Sequence, residues 1–374
     1  MDRRADAILD RDRRGFVSTI AEAPAAFRRR QLRLFDHLRD LRLASYELEA
    51  DWGALGDLAR AEDGAGYAGE EEIAIPLTHE RYRIAGYDDR KVHQDLYLTF
   101  LKLDGGWSIA GDDDLEDIGL YSARNLWDFS SISTAESRHF VTIEPGCPGC
   151  AYGEALLGLA EEALRGVDHY WTRPWHRRVP LIAPRSSAQL ARIIQSNYPV
   201  ENYLAFAFWT GGAGQNPGVR VIVNPDRFGS AGAGVLEILR HELTHAAALY
   251  SRGSFTPSFV DEGLAQYVGL EGDQAAIDRA DAAGRAGGTR LPRNYEFFVG
   301  DGNSVFRTYQ RSLSAIGFFI ERFGFRRFQR FYATLGRAAR VPGTFRYQLD
   351  RALERTIGMN GREFERAWAS SIGG

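Results

Sequence analysis

Residues 236–250 read LEILRHELTHAAALY, and this stretch decides how the second half of the chain is interpreted. Its apolar residues recur at helical spacing and Gly253 follows its end, so we expect a helix. Residues four apart on a helix project from one face, so His241 and His245 can offer two imidazole nitrogens to one ion. Glu242 lies about 100° round the helix from His241, beside the ion rather than on it. A carboxylate in that place can act as a general base towards a water at the metal.

A second stretch supplies a third ligand. Residues 257–267 read PSFVDEGLAQY and predict a second helix, over 260–270. Packed antiparallel on the first helix, it would bring Glu262 to the same ion. Catalytic zinc takes three protein ligands and keeps one position open, and two histidines with one carboxylate form a standard set. The sequence therefore predicts one Zn²⁺ per chain, held by His241, His245 and Glu262.

Together, the two stretches resemble the signature of the gluzincin metallopeptidases, HExxH followed by a glutamate in an E-G-x-A context. Within that group, residues 138–370 resemble the peptidase MA-like proteins of bacteria. Those proteins combine a short sheet, the HExxH helix and a helical C-terminal half. The resemblance implies a zincin-like domain that hydrolyses peptide bonds in a peptide or protein substrate. It also implies that His241, His245 and Glu262 are zinc ligands and that Glu242 is the catalytic base.

Two further residues are candidates for supporting roles in this site. The segment YQRSLSA, which begins at Tyr309, resembles the Y-x-K-G-x-x motif of the aminopeptidase branch, whose tyrosine stabilises the oxyanion. It departs from that motif with Arg311 for lysine and Ser312 for glycine, and a half-buried helix residue remains the alternative. Gln266 lies one turn after Glu262, where a carboxylate in relatives orients a ligand histidine. The alternative is a solvated helix residue.

The first segment of the chain has a different pattern, with helices followed by alternating strands. This order resembles the NTF2-like fold, a cone-shaped pocket domain. The predicted fold class is α+β, with an NTF2-like domain over residues 1–135 and a zincin-like domain over 136–374. The helices are expected over 2–21 and 25–39, and the strands over 43–50, 71–77, 94–103 and 107–110.

The second domain is predicted to hold a small mixed sheet and then helices alone. A peptide is expected to add along the edge of the strand over 219–224. The predicted strands cover 139–144, 179–184, 203–209 and 219–224. The predicted helices cover 152–166, 234–250, 260–270, 305–322, 325–336, 345–357 and 361–370.

Composition limits the function classes. The 374 residues are 44% hydrophobic and carry a net charge of −4. This charge gives no overall positive potential that would attract nucleic acid, so no nucleic-acid partner is expected. No run approaches the ~20 apolar residues of a transmembrane helix. The first residues lack the apolar core of a signal peptide. The default localisation is therefore cytoplasmic, or exported or cell-surface if the true start lies upstream.

Two other functions stay open on the sequence. A zinc-holding module could bind a ligand or protein without hydrolysing it, because fold and motif do not name a substrate. Cys147 and Cys150 could form a redox pair, with a local disulfide or two plain thiols as alternatives. The arginines of residues 326–330 (RRFQR) are interpreted as the charged outer face of an amphipathic helix. Substrate specificity and oligomeric state do not follow from the sequence.

Overall fold

The structure is a computed structural model that describes residues 1–53, 72–103, 106–146, 152–195, 205–209, 218–228, 234–253, 255–287, 289–337 and 345–373. Helices and strands both occur, and from residue 234 onwards the regular elements described are helical. The predicted α+β class is confirmed.

Most predicted helices are present close to their predicted bounds. The helices are α1 (Asp2–Leu9), α2 (Arg13–Ser18), α3 (Ala25–Leu38), α4 (Leu126–Phe129), α5 (Tyr152–Tyr170), α6 (Ser187–Ile194), α7 (Pro225–Phe228), α8 (Gly234–Ala248), α9 (Ser258–Gly269), α10 (Gln274–Gly287), α11 (Gly302–Phe323), α12 (Phe325–Gly336), α13 (Phe345–Ile357) and α14 (Gly361–Ile372). Of these, α4, α6, α7 and α10 were not predicted. Short 3₁₀ turns occupy Glu116–Ile118, Leu249–Ser251 and Asn294–Phe297.

The strands form three sheets. They are β1 (Leu43–Asp51), β2 (Glu72–Ala74), β3 (Leu77–Ile84), β4 (Val92–Tyr97), β5 (Thr99–Leu103), β6 (Gly106–Gly111), β7 (Ile132–Glu136), β8 (Phe140–Pro145), β9 (Val179–Ile182), β10 (Ala205–Trp209) and β11 (Val219–Val223). The orders β1-β3-β4 and β2-β5-β6 are antiparallel. In the order β10-β11-β9-β8-β7 the three inner strands are parallel and the two outer ones antiparallel, so this sheet is mixed.

The chain packs into two compact units. The first unit comprises residues 1–157 and 178–229, and the second comprises 158–177 and 230–374, so α5 begins in one and ends in the other. These units do not coincide with the predicted domains 1–135 and 136–374. The reason is that Ile143 of β8 and Ile222 of β11 belong to the same apolar core as Phe16 and Phe27 of the N-terminal helices.

Three predicted elements of the first unit are wrong in detail, the first being the strand over 71–77, since β2 ends at Ala74 and β3 begins at Leu77. The helix over 2–21 is broken before α2, where Arg11 has a φ of 58° and the Asp12 side chain accepts a hydrogen bond from the N–H of Arg14 at 3.0 Å. An aspartate in that place caps a new helix. The strand over 94–103 is divided at Leu98, because β4 pairs in one sheet and β5 in another.

The expected peptide-binding edge is also wrong. Strand β11 pairs with β10 on one side and with β9 on the other, so neither of its edges is open to a further strand. A peptide adds to a sheet only where backbone N–H and C=O groups are unpaired. The segment over 219–224 therefore lies inside the sheet.

The second unit is helical where it is described. Helix α9 packs against α8 and α11, and α11 packs against α10. Helix α10 was not predicted from the sequence. Among the described helices, none is both long and apolar enough to cross a membrane.

Candidate metal centre

The predicted ligands lie on two neighbouring helices of the second unit. Helix α8 carries His241 and His245 one turn apart, and α9 carries Glu262 in its second turn. His245 is buried, at 7% exposed, whereas the His241 and Glu262 side chains keep 15% and 23% of their surface exposed. The group therefore has a buried side and a side that solvent reaches.

Three donor atoms converge there in a nearly equilateral triangle. Nε2 of His241 lies 3.2 Å from Nε2 of His245, and these two nitrogens lie 3.3 Å and 3.4 Å from Oε2 of Glu262. Zinc–ligand bonds of about 2.0–2.1 Å at tetrahedral angles separate two ligand atoms by about 3.3–3.4 Å. The group of His241, His245 and Glu262 could hold a metal ion. Its donor types and spacing fit zinc.

Close helix contacts set this spacing. A Cβ at Gly269 would come within 2.9 Å of the Glu237 carbonyl oxygen on α8 and within 3.5 Å of the His241 Cβ. Glycine at that position therefore lets α9 approach the helix that carries both histidines. The N-cap of α9 is Pro257, whose fixed φ starts the helix five residues before its ligand residue.

Asp261 lies on the opposite side of His245 from the donor triangle. It is 3% exposed, and its Oδ1 is 3.7 Å from Nδ1 of His245. Nδ1 is buried and has no hydrogen-bond partner among the described residues. If Nε2 gives its lone pair to a metal, Nδ1 must carry the proton, and Asp261 is the carboxylate that faces it.

Two further side chains hold Asp261. The Tyr332 hydroxyl donates a hydrogen bond to Oδ1 of Asp261 at 2.6 Å. Nε of Arg252 forms an ion pair with Oδ2 at 2.8 Å. Tyr332 is in turn fixed by Trp171, whose ring meets it edge-on at 5.5 Å between centroids. Both carboxylate oxygens of Asp261 are therefore held in place from outside the donor triangle.

The charges of the group are strongly coupled. Burial alone would lower the pKa of His245, but the carboxylates of Glu262 and Asp261 raise it well above its ordinary value. Burial alone would raise the pKa of Glu262, but His245 and His241 hold it well below its usual range. Glu262 is therefore ionised at neutral pH, as a metal-binding carboxylate must be.

The structure gives the positions of the other predicted site residues but does not test their roles. Glu242 follows His241 on α8 and is 8% exposed. Tyr309 is half-buried on α11, and its ring meets Phe297 edge-on at 5.3 Å. The Gln266 side chain makes no hydrogen bond within the described ranges, and its assigned role stays a prediction, as does that of Tyr309. Cys147 and Cys150 lie outside the described residues.

Sequence reasoning missed Asp261, Arg252 and Tyr332. A signal existed for Asp261, since an acidic residue directly before the ligand glutamate stands on the same helix. No local pattern marks Tyr332, which lies on α12 and is separated from Asp261 on α9 by helices α10 and α11.

Comparison with known proteins identified no relative of this chain. No protein-family model, no curated protein and no solved structure matches this chain.

Proposed function

We propose that this protein is a zinc-dependent metallopeptidase that hydrolyses peptide bonds. The observation that carries the proposal is the triangle of donor atoms from His241, His245 and Glu262, whose edges match tetrahedral zinc. Glu242 stands next to the first ligand in the sequence, which is the place of a general base in an HExxH helix. The same triangle is the reason to prefer zinc over metals that demand six oxygen ligands.

The chemistry divides among the residues of the second unit. Zinc in such a set acts as a Lewis acid, which lowers the pKa of the water it binds and polarises a carbonyl. Glu242 would accept a proton from the attacking water and pass it to the leaving amine. Asp261 would keep the proton of His245 on Nδ1 and fix the orientation of that ring. Tyr309 is the proposed donor to the oxyanion.

At the level of architecture, the proposal extends the sequence resemblance. The part of the chain that carries α8 and α9 would be a zincin-like domain of the gluzincin, peptidase MA-like type. The N-terminal helices and strands would be an NTF2-like domain. The substrate would be a peptide or protein, with no nucleic-acid partner.

The first test measures metal content and peptide cleavage in the same preparations. Elemental analysis of the purified wild type should find about one zinc per chain, and Glu262→Ala should lose most of it. Glu242→Gln should keep the zinc and lose cleavage of a quenched-peptide library by about 100-fold or more. The conservative Glu242→Gln change preserves the shape of the side chain, so it separates proton transfer from metal binding.

Three other outcomes would each change the proposal. Zinc without cleavage would replace the peptidase by a zinc-holding module that binds a ligand or protein. Cleavage that survives Glu242→Gln would remove that residue from the mechanism. Absence of zinc from the wild type after loading and desalting would refute the metal centre itself.

A further inference from the structure

A large groove lined by arginine lies in the second unit, apart from the donor triangle. Its volume is about 1700 Å³, and it is bordered by the first turn of α9, the turn Asn294–Phe297, α13 and α14. Pockets for small ligands usually measure about 300–1,000 Å³. The groove is therefore large enough for an extended segment of a polymer.

Positive charge dominates the lining of this groove. Two glutamates, Glu296 and Glu365, also line it. The arginines that line it are Arg290, Arg293, Arg311, Arg346, Arg362 and Arg366. The whole chain carries a net charge of −4, so the lining of the groove is positive although the chain as a whole is negative.

In the part of the chain that the structure describes, two of the six arginines form ion pairs within the protein. Arg311 pairs with Glu296 at 2.9 Å, and Arg346 pairs with Asp350 at 3.3 Å. Even so, Nε of Arg311 and Nη2 of Arg346 are buried without a hydrogen-bond partner among the described residues. Glu365 accepts a hydrogen bond from the N–H of Leu291 at 2.7 Å.

The remaining arginines are open to an external anion. Within the described ranges, no carboxylate lies within ion-pair distance of their guanidinium groups, and all four residues are exposed. Guanidinium groups bind carboxylates with two parallel hydrogen bonds, and several in one groove recognise a polyanion. These four are Arg290, Arg293, Arg362 and Arg366.

The lining also contains apolar side chains and one exposed aromatic ring. Leu291, Pro292 and Leu349 line the groove but are buried, and the exposed ring of Tyr295 borders it. Single-stranded nucleic acid is bound mainly by several stacked aromatic rings along a basic groove. Tyr295 is the one exposed aromatic side chain among the described lining residues, which favours a polypeptide.

The groove begins close to the candidate metal centre along the chain. Pro257 lines the groove and is the N-cap of α9, the helix that carries Glu262. Glu262 is five residues after Pro257, a rise of about 7.5 Å along a helix axis. None of the donor residues is among the described residues that line the groove, so this stretch of α9 is what connects the groove to the candidate metal centre.

We propose that this arginine groove binds acidic segments of polypeptide and gives the protein a preference for substrates that carry them. The choice of a polypeptide rests on the proposed peptidase function, whereas the preference for an anion rests on the arginines alone. Binding in the groove does not use the metal ligands, so it can be measured with a chelator present.

The test is fluorescence anisotropy with the full chain and a labelled peptide of alternating glutamate and serine. The peptide should bind, and added salt should weaken it because the contacts are ionic. The triple variant Arg290→Ala/Arg362→Ala/Arg366→Ala should weaken binding about tenfold, as expected for the loss of three exposed ion pairs. These three side chains are exposed, so the fold should be retained, which circular dichroism checks.

The matched control removes the same charge elsewhere in the second unit. Arg326, Arg327 and Arg330 of α12 are exposed and do not line the groove. Arg326→Ala/Arg327→Ala/Arg330→Ala should leave binding within about twofold of the wild type, since screening limits charges at a distance. Equal loss in both triple variants would overturn the groove as the binding site.

Two comparison probes complete the design. A peptide of alternating lysine and serine should not bind. An oligothymidylate that bound more tightly than the acidic peptide would replace the polypeptide by nucleic acid and overturn the proposal. Failure of the acidic peptide to bind the wild type would also overturn it. Because a chelator is present throughout, loss of the metal centre would not alter any of these results.

Discussion

Asp261 and Glu262 are neighbours in the chain, and on a helix their side chains point about 100° apart. Glu262 therefore faces Nε2 of His245 from one direction, while Asp261 approaches Nδ1 from another. One imidazole ring is thus placed between two adjacent carboxylates of α9. This arrangement ties the orientation of a ligand histidine to the same helix that supplies the third ligand.

We expect Asp261→Asn to weaken metal binding about 10- to 100-fold, because the side chain that holds the His245 proton loses its charge. Competition against a chelating dye measures this affinity. Gln266→Ala is the paired variant, since Gln266 was predicted from the sequence to orient a ligand histidine. It should leave the affinity nearly unchanged. A larger loss in Gln266→Ala than in Asp261→Asn would support the sequence-based assignment instead.

How much of the site the sequence could predict depends on how local each contact is. His241, His245 and Glu262 follow from spacing within two helices, and the structure brings them together. Tyr332 meets Asp261 only because α12 folds back beside α9, and no spacing along the chain records that contact. Residues that act through tertiary packing are therefore the ones that motif reasoning misses.

At the scale of helices, Gly263 explains why a glycine follows the ligand glutamate. A Cβ at this position would come within 2.6 Å of the Ser312 carbonyl oxygen and 2.5 Å of a side-chain carbon of Ile316 on α11. The Ser312 contact is with backbone, which cannot rotate away. Helix α9 therefore packs at this distance from α11 only while residue 263 has no side chain.

Gly263→Ala should destabilise the protein by about 1–3 kcal/mol, because overpacking outweighs the gain in helix propensity. It should also weaken metal binding, since Glu262 is the adjacent residue. Gly158→Ala on α5 is the matched control, because that glycine is also helical and a Cβ there would meet nothing within 4 Å. Urea unfolding should give opposite signs for the two variants, with Gly158→Ala more stable than the wild type.

Element boundaries were predictable where local chemistry determines them. Helices α12 and α13 begin and end at the predicted residues, since amphipathic spacing and glycine define them. The division of the 94–103 segment between two sheets was not predictable, because the alternation of apolar residues runs unbroken through Leu98. Which sheet a strand joins is decided by distant partners, β3 for β4 and β6 for β5.

At the scale of the whole molecule, stability depends on pH through buried acids as well as through surface charge. Glu80 in the first unit is 6% exposed, and its Oε1 accepts a hydrogen bond from the Tyr46 hydroxyl at 2.5 Å. Its Oε2 is buried with no partner among the described residues. Burial raises the pKa of Glu80 to about 7, and nearby Asp128 adds to the rise, against the opposing effects of Tyr46 and Arg4.

The sign of the effect on stability follows from this shift. The folded protein binds the Glu80 proton more tightly than the unfolded chain does, so the contribution of Glu80 is greatest below the ordinary glutamate pKa. It is lost as pH rises towards about 7, where the buried group must ionise. The contribution of Glu80 to the free energy of unfolding should therefore fall over this range.

Glu80→Gln removes the ionisation while preserving the shape of the side chain. Relative to the wild type, this variant should gain about 2 kcal/mol in the free energy of unfolding between about pH 5 and about pH 8. Urea unfolding at the two pH values measures the difference. Glu22→Gln, at an exposed position of the same unit, is the control and should show no such gain. If both variants follow the wild type at each pH, the pKa of Glu80 is the same in the folded and the unfolded protein. That result would contradict the rise in pKa that follows from its burial, at 6% exposed.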